Sequence, residues 1–173
     1  EAGANHAYNP KSLIIVSYPW LSRDNPDPDG HHCRSLISYL SALFDSRLAF
    51  LPSSDAGVFI DFMSLPQHGA QQPRSESEAR IFRLGLGCMH ALYSHSRTVV
   101  LQLKDAPGRD YDASGWCYFE QTVASVFKDS NRLLDLSLVR KEGADRMKLA
   151  DLERQARAQR KPPQHPDRFD EVQ

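Results

Sequence analysis

Three short apolar runs, each free of polar alternation, constrain this chain more than any other feature. They are Ser12 to Ser17 (Ser-Leu-Ile-Ile-Val-Ser), Gly57 to Asp61 (Gly-Val-Phe-Ile-Asp) and Arg97 to Leu103, centred on Val99-Val100-Leu101. Runs of this length and β-branched content suit strands covered on both faces, as in a parallel sheet. Helical spacing fills the intervals. His31 to Ser46 carries Leu36, Ile37, Leu40, Leu43 and Phe44, and Glu76 to Ser94 carries an apolar stripe of Ile81, Leu84, Cys88, Leu92 and their neighbours. Ser114 to Lys128 reads as a third helix and Arg132 to Val139 as a fourth strand or extended segment. Gly143 to Arg160 reads as a polar, charged helix stopped by Lys161-Pro162-Pro163. The order β-α-β-α-β-α-β-α predicts an α/β domain with a parallel sheet, helices on both faces and right-handed crossovers. One such domain spans 12–160, between a lead-in at 1–11 and a tail or linker at 161–173.

The length of 173 residues suits a single domain with one sizeable core. A net charge of -1 offers no electrostatic basis for binding nucleic acid or an anionic membrane. No apolar run approaches a membrane span, and no charged-then-apolar leader opens the chain. The first residue is not Met, so the chain reads as an excised domain. Three widely spaced cysteines, Cys33, Cys88 and Cys117, make no disulfide framework and suit a cytoplasmic, reducing setting. Cys33 and Cys88 are expected to be buried as small apolar residues.

In open α/β sheets, ligands bind beyond the carboxyl ends of the strands. Here those ends carry Tyr18-Pro19-Trp20, then Asp61-Phe62-Met63-Ser64, then Lys104-Asp105. The third helix begins on the same side with Trp116, and Glu120 follows one turn later. At about 100° per residue, Phe119, Val123, Val126 and Phe127 form an apolar stripe, with Trp116 on it and Glu120 on its flank. Partial burial there raises a carboxylate's pKa, and the nearby helix N-terminus opposes that shift. The residues alone leave two readings open: a rim acid paired with a loop arginine, or a working carboxylate beside an aromatic platform.

Other motifs carry less. His31-His32-Cys33 are adjacent, cannot easily converge on one ion, and read as structural or solvent-facing. Gly85-Leu86-Gly87 lies within a helical pattern with no strand before it; it suits close helix packing rather than a phosphate loop. Cys117 has no nearby histidine to activate it and reads as a packing residue. Asp24 to Asp29 lacks the ligand spacing of a calcium loop and reads as a turn.

Three of these pieces, in order, resemble the TIR (Toll/interleukin-1 receptor and resistance-protein type) domain family. Ile14-Ile15-Val16-Ser17-Tyr18 is similar to the family's opening strand, Gly57-Val58-Phe59-Ile60-Asp61 to its second strand, and Trp116-Cys117-Tyr118-Phe119-Glu120 to its Trp-Cys-x-x-Glu motif. The likeness covers roughly Ser12 to Val139. It implies a flavodoxin-like fold of strand order 2-1-3-4, with room for a fifth strand at an edge. It also implies hydrolysis of NAD at the nicotinamide-ribose bond, within a signalling or defence pathway. Glu120 would be catalytic, and Trp116, Tyr18, Pro19, Trp20, Asp61 and Ser64 would line the substrate site. NAD is then substrate rather than cofactor, no metal is required, and a homo-oligomer is expected. The chain departs from the family at Pro19-Trp20, where Arg or Gly is common. It departs again in the long Gln/Pro-rich loop Ser64 to Ser75, a region that governs assembly and access in the family. These departures suggest a divergent branch with some likeness to fungal heterokaryon-incompatibility domains. The rival function is a non-catalytic module acting by self-association; a weaker one is another nucleotide or nucleoside N-glycosidase.

Overall fold

The computed structural model describes residues 13–48, 56–68, 73–139 and 147–161. Four strands, β1 (Leu13–Ser17), β2 (Gly57–Phe59), β3 (Val99–Gln102) and β4 (Leu133–Asp135), form one sheet in the order β2-β1-β3-β4. Every pairing within it is parallel, with Ile14 opposite Val99 and Ser17 opposite Gln102 in the central pair. The flavodoxin-like α/β architecture expected from the sequence is therefore present.

Among the described residues five helices flank the sheet: α1 (His31–Leu48), α2 (Asp61–Ser64), α3 (Glu76–Ser94), α4 (Gly115–Phe127) and α5 (Leu149–Gln155). Successive strand residues point to opposite faces, and the core divides accordingly. Ile14, Val16, Val99 and Leu101 pack with Leu36, Tyr39 and Leu43 of α1 and Leu152 of α5. Ile15, Val100 and Leu133 pack with Met89 and Tyr93 of α3 and Ala124 of α4. The same parity turns Ser17 and Gln102, the last residues of the central strands, towards α3 and α4.

Local signals set the helix starts. Ser75 and Glu78 form a reciprocal capping box on α3, and the Ser114 hydroxyl caps α4 by accepting from the Cys117 N–H. The Asp27 carboxylate accepts from the N–H groups of His32 and Cys33 at the start of α1. The Asp24 to Asp29 stretch is thus a turn that caps a helix, with Gly30 following it at φ 67°.

Several expectations need correction. The second strand ends at Phe59, and Asp61 opens the one-turn helix α2, which carries Ser64 as its last residue. The fourth strand stops at Asp135, and Leu136–Leu138 form a 3-10 turn. The last helix covers only Leu149–Gln155. The chain then runs antiparallel beside β4: the Asp135 N–H donates to the Ala156 carbonyl at 2.6 Å and the Ala158 N–H to the Leu133 carbonyl at 3.1 Å. The extra edge strand is thus reduced to an isolated bridge, Leu134 to Arg157. Cys33 and Cys88 are exposed, whereas Cys117 is buried. The lead-in, positions 143–146 of the last helix and most of the tail lie outside the described residues.

The largest correction concerns which way α3 and α4 face. Of the expected stripe of α3, Ile81, Leu84 and Cys88 turn outward, while Leu92 packs against the core and the neighbours Met89 and Tyr93 are buried. On α4 the buried residues are Cys117, Glu120, Gln121, Ala124 and Ser125, while Trp116, Phe119, Val126 and Phe127 face outward. Small side chains allow close approach to the sheet. The polar ones among them are satisfied there, as Gln102 Nε2 donates to Gln121 Oε1 at 3.2 Å. Among the described residues no helix is long and apolar enough to cross a membrane.

Candidate active site at the carboxyl edge of the sheet

A cavity of about 840 Å³ opens at the carboxyl ends of β1 and β3, on the α3/α4 face. The loops after these adjacent strands leave for helices on opposite faces, which makes the β1/β3 boundary the topological switch point. Tyr18, Pro19, Trp20 and Asp61 line the cavity from one side and Trp116 from the other. The structure thus brings together five of the six residues expected to line a substrate site. Ser64 is exposed, does not line the cavity, and accepts the Ile60 N–H through its hydroxyl at 3.1 Å.

The β1 exit is fixed by hydrogen bonds. Asp61 accepts the Tyr18 hydroxyl at 2.8 Å, the Trp20 indole N–H at 3.2 Å and the Phe62 N–H at 2.7 Å. The Trp20 ring meets Phe62 edge-on at 5.5 Å. The Pro19 carbonyl oxygen lies 3.0 Å from His32 Nε2, and the Asp105 carbonyl oxygen lies 2.6 Å from His31 Nε2. Both histidines therefore serve the loops of this edge. Gly85 permits a close approach on the far wall, where a Cβ would stand 2.4 Å from Leu65 Cδ2.

Glu120 lies behind this wall rather than on it. Its residue is 3 % exposed, and Ser17 Oγ donates to Oε2 at 2.5 Å. Because the Ser17 proton goes to the carboxylate, the Tyr111 hydroxyl must donate to Ser17 Oγ, 2.6 Å away. A directed chain Tyr111 to Ser17 to Glu120 results. The Tyr93 hydroxyl donates to the Val16 carbonyl at 3.5 Å, and it and the Trp116 indole are the other polar groups that act on the carboxylate.

Burial raises the Glu120 pKa to about 7; the hydrogen bonds from Ser17, Tyr93 and Trp116 pull it down, and the Asp61 charge pushes it up. Burial, together with the neighbouring acids, lifts the hydroxyls of Tyr93 and Tyr111 above the usual phenol range and the Cys117 thiol to about 12. Cys117 is therefore a neutral packing thiol. The arginine partner of the rim-acid reading does not occur: none of the salt bridges among the described residues involves Glu120.

Three contributors escape the sequence reading. Ser17 has a weak signal, being the polar last residue of an apolar strand on the parity that faces α4. Tyr111 lies in an aperiodic loop and Tyr93 on a helix whose facing is not evident, so neither has one. Comparison with protein-family models, curated proteins and solved structures found no match.

Proposed function

We propose that this domain cleaves the nicotinamide-ribose bond of NAD, in the manner of the TIR family it resembles, with Glu120 as the catalytic carboxylate. The observation that carries the reading is a buried acid, held by Ser17 at the switch point of the sheet, beside a cavity walled by two tryptophans.

In this reaction the C1'–N bond breaks and its electron pair passes to the pyridinium nitrogen, so neutral nicotinamide departs without needing a proton. The ribose becomes oxocarbenium-like in the transition state, and a nearby carboxylate stabilises that charge. Water then bonds to C1', losing one proton and giving ADP-ribose; attack by the adenine instead gives a cyclic product. Low exposure makes the Glu120 charge effective, since the field of a carboxylate is weakly screened away from water. Trp116 stands between the acid and the open cavity. The residue is 45 % exposed and its ring meets Phe119 at 5.9 Å with a 32° tilt. Trp20 offers a second face for a planar ring.

The competing reading, a self-associating module without chemistry, draws on two observations. Glu120 is sealed, and α4 presents Phe119, Val126 and Phe127 outward as exposed apolar side chains. Self-association through α4 is compatible with both readings. Nicotinamide release from NAD at high protein concentration separates them: the hydrolase reading expects release by the wild type and none by Glu120→Ala, and a silent wild type overturns the NAD hydrolase.

A further inference from the structure

We propose that Arg23 and Arg109 form a two-sided clamp for the phosphates of an adenine-nucleotide ligand, making the cavity selective for nucleotides over phosphate-free nucleosides. The proposal rests on the reading of this cavity as a nucleotide site and adds the residues that select the ligand.

Five charged side chains line the cavity: Arg23, Arg74 and Arg109, and the acids Asp61 and Asp110. Three of them are already engaged. Asp61 receives three donors, from Tyr18, Trp20 and Phe62. Asp110 accepts the Asp112 N–H at 2.9 Å. Arg74 donates Nε–H to the Pro66 carbonyl at 2.6 Å and stacks on Phe82 at 3.5 Å. The guanidinium groups of Arg23 and Arg109 have no hydrogen-bond or ion-pair partner among the described residues.

Their positions matter as much as their freedom. Arg23 belongs to the loop after β1 and Arg109 to the loop after β3, so they approach the switch-point crevice from its two sides. Both loops are built rather than slack. The Leu21 N–H donates to the Pro26 carbonyl at 3.0 Å and the Arg109 N–H to the Ala106 carbonyl at 3.2 Å, next to Gly108 at φ 68°. Guanidinium groups bind phosphate oxygens through paired N–H donors. Two of them, with Trp20 and Trp116 lining the same cavity, match a ligand that joins planar bases through charged phosphates.

The chain's two tryptophans both line the cavity, so intrinsic fluorescence reports occupancy without catalysis. Titration of the intact chain with ADP, adenosine and inorganic pyrophosphate is the test. The clamp predicts ADP binding about tenfold or more tighter than adenosine, an ADP affinity that falls with salt, and pyrophosphate binding weaker than ADP. Arg23→Ala and Arg109→Ala should each remove about tenfold of the ADP affinity and leave adenosine unchanged, with Lys at either position restoring part of it. Both arginines are exposed, so thermal denaturation should match wild type. Equal binding of ADP and adenosine, or wild-type ADP affinity in the double alanine variant, overturns the clamp. Pyrophosphate binding as tightly as ADP overturns its assignment to a nucleotide. Arginine-dependent ADP binding by a chain that releases no nicotinamide keeps the clamp and overturns the hydrolase.

Discussion

Glu120 gains its proposed reactivity from burial and from three neighbours that act on the same proton. Burial holds its pKa near 7, while Ser17, Tyr93 and Trp116 stabilise the ionised form. Removing Ser17 Oγ therefore raises the pKa further: in Ser17→Ala the rise of activity with pH should move to higher pH. Tyr111→Phe should move it the same way by less, because Tyr111 acts through Ser17. A pH series of initial rates checks both, and an unmoved profile in Ser17→Ala removes the relay. The same proton carries a stability cost. Folded Glu120 holds it to about pH 7, whereas the unfolded chain releases it near pH 4.5. In that window the native state binds more protons, so stability falls as pH rises, and the cost is complete above about pH 7. Glu120→Gln should therefore be more stable than wild type at pH 8, by on the order of 3 kcal/mol. The gap should close as pH falls towards 4.5. Denaturant unfolding at the two pH values measures it.

The helices show where sequence reading works and where it fails. Strand identity and the helices α1, α3, α4 and α5 were legible because continuous β-branched runs and their spacing report the sheet directly. The facing of α3 and α4 was not, because counting large apolar residues assigns the core to the wrong side. On α4 the sheet is met by Cys117, Gln121, Ala124 and Ser125, whose small size or hydrogen bonds decide burial. Phe127, 60 % exposed, and Val126, 51 % exposed, lie outside. Site residues divided in the same way. Trp116 and the Tyr18-Pro19-Trp20 turn were visible as strand-end and helix-start positions, and the depth of Glu120 was hidden by the facing of its helix. Substitution separates the two faces of α4. Ala124→Leu should cost about 1–3 kcal/mol through overpacking, whereas Phe127→Lys should stay within about 0.5 kcal/mol of wild type. Equal costs in thermal or denaturant unfolding would reverse the assigned orientation.

At the scale of the whole molecule, the sheet edge gathers a carboxylate, two indoles and free arginines from the loops after β1 and β3 and from α4, and the outer faces of α3 and α4 expose apolar side chains. Leu84, 59 % exposed on α3, and Phe119 and Phe127 on α4 are the exposed apolar side chains that the self-association reading would use. Phe119→Lys with Phe127→Lys should lower the sedimentation mass at high concentration without unfolding the chain; an unchanged mass places any self-association elsewhere. Near the last described residue, Lys161 pairs with Asp112 at 2.6 Å beside Tyr111, which ties the C-terminal strap to the loop that holds the relay. The central claim concerns the charge on Glu120, and nicotinamide release from NAD, followed from pH 5 to 9 in wild type and Glu120→Gln, tests it most directly. The wild type should rise through about pH 7 and the variant should stay at background throughout. No release by the wild type, or equal release by both proteins, contradicts it.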